Sequence, residues 1–89
     1  MTEACRTERF KILNVSLGMG ESMSWHTASS DAFVIARKGK GKVSFSDREV
    51  ILSAGDTLLI PATQRHRMDV LEPFSSSVIL APEAKIDFA

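Results

Sequence analysis

Gly55-Asp56-Thr57-Leu58-Leu59-Ile60-Pro61-Ala62-Thr63-Gln64-Arg65-His66 joins a turn, a short apolar strand, a proline stop and a histidine in one continuous run. Gly-Asp supplies the backbone freedom and side-chain acceptor that a tight turn needs, so it launches the strand at Thr57. Pro61 has no amide donor and ends the ladder. After a short reversal, His66 opens a second strand in which His66, Met68 and Val70 share one face. Working outward in both directions, the same rhythm repeats. Strands are expected over 10–17, 22–26, 31–37, 42–46, 50–52, 57–60, 65–71 and 76–80. Turns fall at Gly18-Met19-Gly20-Glu21, Ser46-Asp47-Arg48-Glu49, Ser53-Ala54-Gly55-Asp56 and Glu72-Pro73, and Lys38-Gly39-Lys40-Gly41 reads as a glycine-rich reversal. Short alternating strands joined by tight turns, without an amphipathic helix, point to an all-β sandwich or barrel.

Composition narrows the function classes. The 89 residues make one domain, 1–89, of which 1–9 are expected as a loosely attached N-terminal arm. Eleven Lys and Arg balance eleven Asp and Glu. There is therefore no net field to draw in nucleic acid or an anionic membrane, and neither is expected as a partner. A single cysteine, Cys5, has no internal disulfide partner, and no long apolar run is present. A cytoplasmic setting is the expectation. A chain this short also leaves strand edges and apolar residues such as Phe10, Ile12 and Val15 for another subunit to cover, which predicts a homodimer.

At its spacing of Gly55, Pro61 and His66, the opening stretch resembles the second motif of the cupin family, G(x)5PxG(x)2H. Thr63 stands at the family's usual second glycine and Val70 at its usual asparagine. The first family motif, G(x)5HxH(x)3-4E(x)6G, overlies Gly20 to Gly39 with His26 as its first histidine, but Ala28 replaces the second histidine and Ala32 the glutamate. The resemblance covers roughly 10–80 and implies a double-stranded β-helix, a small jelly-roll barrel. Of the four side chains with which the family usually holds a metal, His26 and His66 remain. The runs Phe33 to Gly41 and Gly55 to Ala62 also resemble the carboxy-terminal cupin-like domain of type I mannose-6-phosphate isomerases, which is not where that family's metal site lies.

Strand parity then assembles a candidate ligand-binding set: His26, Ala28, Ala32, Val34, Gln64, His66 and Met68. His66 is the first candidate for a general base or acid and His26 the second. Two imidazoles fall short of the three protein ligands of an ordinary catalytic metal site, so no cofactor is expected, with a divalent metal as the alternative. Asp31 and Gln64 are the nearby oxygen donors, yet Asp31 adjoins Ala32 and is expected to point outward. Met23 and Trp25 are expected on the face opposite His26, and Arg37, Lys38, Lys40 and Lys42 at a solvated hairpin tip.

Three functions fit this pattern. The first is a small cupin that binds a sugar, carboxylate or apolar acid as a sensor or accessory domain without a complete metal site. The second is a metal-dependent or histidine-based isomerase, epimerase or lyase, and the third a structural or assembly subunit. Binding is preferred to catalysis because two histidines, no tyrosine and no inward carboxylate leave few groups for an acid and base pair.

Overall fold

The computed structural model describes residues 1–88 and contains eight strands and no helix among them. In chain order these are β1 (Thr2–Arg6), β2 (Lys11–Leu17), β3 (Ser22–Ala28), β4 (Ala32–Ser44), β5 (Glu49–Ser53), β6 (Thr57–Ile60), β7 (His66–Leu80) and β8 (Ile86–Asp87). All pairings are antiparallel.

Two long strands organise the molecule by serving both of its layers. Residues 74–80 of β7 lie between β2 and the first part of β4, which is itself paired with β6 from Ala32↔Ile60 to Ile35↔Thr57. Residues 66–69 of β7 lie between β3 and the end of β4, where Lys40–Ser44 pairs with β5. One layer therefore runs β1-β2-β7-β4-β6 and the other β8-β3-β7-β4-β5. The core fills the space between them. Val43, Leu52 and Phe74 are sealed there, and each belongs to the inward phase of its strand.

β4 and β7 correct the sequence reading at two places. Lys38-Gly39-Lys40-Gly41 does not reverse the chain, and Glu72-Pro73 does not interrupt it: both lie inside continuous strands that bend together from one layer to the other. The pairing shifts register three times between Ala36 and Gly41, as bulges do where a strand must turn a corner. Gly39 has φ +75°, and a Cβ there would lie 1.8 Å from the Pro73 carbonyl oxygen. Only glycine allows the two backbones to meet so closely. Arg37, Lys38, Lys40 and Lys42 consequently lie along this bend, not at a hairpin tip.

The ends of the chain add edge strands. Within 1–9, β1 pairs with β2 from Thr2↔Asn14 to Arg6↔Lys11, and every one of its residues is exposed. It is held by ladder hydrogen bonds and not by buried side chains. Because β1 covers β2, the latter is not an edge, and Val15 is buried inside the barrel instead of waiting for a partner. β8, absent from the sequence reading, pairs with the end of β3 through Thr27↔Asp87 and Ala28↔Ile86. No helix among the described residues is long and apolar enough to cross a membrane.

Candidate functional site

The turn after β6 sets the site. Gln64 donates its amide to the Pro61 carbonyl at 3.2 Å, and Thr63 donates its amide to the Ala28 carbonyl at 2.8 Å, tying this loop to the end of β3. Thr63 is the one described non-glycine residue with positive φ, at 66°. The backbone thus demands the left-handed conformation at the position where the family motif carries glycine. The Ala62 amide donates to the Asp31 carboxylate at 2.8 Å, so Asp31 points outward and braces the loop, as its parity requires.

That clamp sets His66 directly opposite His26 in the β3–β7 register. Both are buried, each 6 % exposed, and their rings meet edge-on with centroids 4.2 Å apart. Nδ1 of His26 lies 2.6 Å from the Ser24 carbonyl and Nδ1 of His66 lies 2.9 Å from the Gln64 carbonyl. A carbonyl oxygen can only accept, so Nδ1 carries the proton in both rings. In the neutral form each Nε2 is then left with a lone pair. Burial lowers the His66 pKa from its ordinary value, outweighing the Gln64 carbonyl bond, which favours the charged form; proximity to His26 lowers it further.

The two histidines face a cavity of about 60 Å³. Ala28, Ala32, Val34 and Met68 line it together with them, while Gln64 does not: that residue enters the site only through its backbone carbonyl. The wall is completed by Leu13, Val15, Ile60, Val78, Leu80 and Ile86, with Met1, Met23 and Ser76. Every lining side chain is uncharged apart from the titratable histidines.

Met23 and Ser76 were not in the candidate set. Strand parity alone puts Met23 on the face opposite His26, but the pairing runs Met23↔Met68 and then His26↔His66, three steps on β3 against two on β7. This extra residue is a bulge, and it rotates Met23 into phase with His26. Trp25 stays outside, where the Arg65 guanidinium lies 5.1 Å from its ring centroid. Ser76 was legible in principle, since it alternates in phase with Phe74, Val78 and Leu80, all apolar and inward. Its hydroxyl is the one described buried side-chain polar atom without a hydrogen-bond partner. Such an orphan costs about 1–3 kcal/mol unless something in the cavity satisfies it.

As a metal site the arrangement falls short. It offers two imidazole nitrogens, with alanines at the other two family ligand positions, and no group of three or more His, Cys, Asp or Glu among the described residues is placed to hold an ion. Two donors do not make the three-ligand shell that retains a catalytic divalent ion. The donor set suits hydrogen bonding in an apolar chamber better than coordination.

A family model described as a cupin domain matches residues 13–79. Among curated proteins, none matches the chain. Solved structures similar to it include a cupin superfamily protein from Desulfitobacterium hafniense, with a TM-score of 0.83 at 23% identity over 92% of this chain and 75% of that one. KdgF from a Halomonas species is similar at a TM-score of 0.83 and 20% identity, over 92% of this chain and 78% of that one. The DMSP lyase DddQ from Ruegeria pomeroyi is similar at a TM-score of 0.79 and 14% identity, over 86% of this chain but 40% of that one. At these identities the likeness is one of fold.

Proposed function

The chain belongs to the cupin family, and from that premise we propose that it binds a small molecule inside the barrel as a sensor or accessory domain, without a catalytic metal. The observation that carries this reading is the pair of facing histidines at the wall of an otherwise apolar cavity. A few convergent polar groups in an apolar chamber are what a small-ligand site requires. Ala28 and Ala32, standing where the family carries bulkier ligating side chains, provide the space.

Catalysis has less support. The lining supplies His26, His66 and Ser76 but no carboxylate to work with a histidine as acid and base. The protein is further taken to be a homodimer. In its support, the partners Ile12↔Ile79, Ile79↔Phe33 and Phe33↔Leu59 form an apolar row across four strands on the outer face, and Phe33 and Leu59 are 38 % and 53 % exposed. With formal net charge zero, two copies approach without mutual repulsion.

The test of binding is a thermal-shift screen of sugars, carboxylates and apolar acids. A ligand at a hundredfold excess over its Kd stabilises the fold by about 2.7 kcal/mol. The expected result is that one class raises Tm and that His66→Ala abolishes the rise while the barrel stays folded. If no class shifts the wild type, and Ala32→Leu is neutral or stabilising because it fills a void, the chamber is packing space and the assembly-subunit reading replaces this one.

A further inference from the structure

Ser76 sits in the β7 segment between β2 and β4, opposite Val15 on one side and Ala36 on the other. It is 2 % exposed, and its strand neighbours in the same phase are Phe74 and Val78. An alanine would leave no polar atom unpaired in these surroundings, whereas serine leaves a hydroxyl unpaired against the cavity. The histidine pair lines the same cavity, with both Nδ1 protons committed to backbone carbonyls. The chamber therefore offers lone-pair acceptors at the histidines and, at Ser76, a hydroxyl able to donate or accept.

Three features define what fits between them. The histidine Nε2 lone pairs call for a ligand that donates a hydrogen bond. A charged ligand would be buried with no Asp, Glu, Lys or Arg side chain in the lining to pair with it. A volume of about 60 Å³ exceeds the ~10–15 Å³ that one water needs. It is also far below the ~300–1,000 Å³ of pockets for drug-sized ligands, so the occupant has few heavy atoms.

We propose that Ser76 is the second polar anchor of the cavity and that its ligand class is a short, uncharged aliphatic molecule with a hydroxyl at each end, one bonded to the histidine pair and the other to Ser76. This rests on the reading of the barrel as a small-molecule site and narrows it to a chemical class. The apolar stem of such a molecule lies against Val15, Val34 and Val78.

The experiment is a titration of the full chain, followed by amide chemical shifts, with α,ω-diols from propanediol to hexanediol, mono-alcohols of equal length and the matching carboxylates at pH 7.5. The expected result is that wild type prefers a diol over its mono-alcohol by about 5–10-fold, the discrimination of one net hydrogen bond. Ser76→Ala should erase that preference by bringing diol affinity down to that of the mono-alcohol of equal length. Because the substitution removes an orphan hydroxyl, Tm should hold or rise, which separates lost recognition from lost folding. If Ser76→Ala retains the diol preference, the hydroxyl holds a water or nothing and the inference is overturned. If carboxylates bind and diols do not, the ligand class is overturned while the binding function stands. If none of the three series binds wild type, this inference fails and the binding function rests on the wider screen alone.

Discussion

Thr63 shows how one residue reports the demands of its turn. A β-branched residue at φ 66° bears a Cβ–carbonyl conflict of about 1–2 kcal/mol that glycine would avoid. Thr63→Gly should therefore stabilise the protein by about 1 kcal/mol, net of the extra freedom glycine gives the unfolded chain. In a domain of this size that raises Tm by about 4–8 °C, read by calorimetry; a fall in Tm would mean that the Thr63 hydroxyl bond to the Ala62 carbonyl, at 2.6 Å, outweighs the backbone strain. His66 yields a second prediction. Its pKa is lowered on folding by burial, so below about 6.5 the unfolded chain binds more proton than the folded one. The stability that the neutral ring contributes is fully present above about 6.5 and is lost as pH falls through the folded value. Wild type should lose Tm between roughly pH 7 and 5 more steeply than His66→Gln, with carboxylate effects cancelling in the difference. Parallel curves would show that His66 does not titrate abnormally. At this scale six residues of the cavity wall were legible: His26, Ala28, Ala32, Val34, His66 and Met68 follow from period-two alternation within single strands, and all line the cavity. Gln64 was not, because it precedes β7 and contributes a carbonyl, which no side-chain pattern encodes.

Gly39 and Pro73 mark where the elements exceed what local sequence can say. Lys38-Gly39-Lys40-Gly41 has the chemistry of a turn, and a bulged bend needs the same glycine freedom; what decides between them is a cross-strand neighbour far away in sequence. The same holds for Met23, whose face is set by one extra residue against β7, and for β8, too short to leave a periodic signal. All eight expected strand segments still fall wholly or largely within observed strands, because alternation of buried and exposed positions persists through the bends. The corner can be tested by comparing two glycines of positive φ. At Gly20, φ +82°, a Cβ meets nothing within 4 Å, so Gly20→Ala should lose only the left-handed penalty of about 1–2 kcal/mol. At Gly39 the same change drives a methyl into the Pro73 carbonyl and should cost well beyond that, more than about 3 kcal/mol by urea denaturation. Equal losses at the two sites would mean that β4 and β7 do not meet as described.

The whole molecule presents two apolar surfaces: an inner chamber that carries three polar side chains, His26, His66 and Ser76, and an outer row through Ile12, Ile79, Phe33 and Leu59. If the row joins two copies, light scattering at tens of micromolar, a concentration suited to dimers of micromolar Kd, should give twice the chain mass, and Leu59→Lys should halve it. A wild-type monomer at that concentration would remove the dimer without touching the chamber. The chamber carries the central claim, and its methionines offer the most direct view of it. Met23 and Met68 line the cavity, whereas Met19 is 64 % exposed and does not. With methionine methyls labelled, a titration with the small diols, sugars and carboxylates should move the Met23 and Met68 resonances saturably, leave Met19 in place, and lose the effect in His66→Ala. Methyls of Met23 and Met68 that stay fixed across the whole panel, or a response confined to Met19, would contradict a ligand inside the barrel.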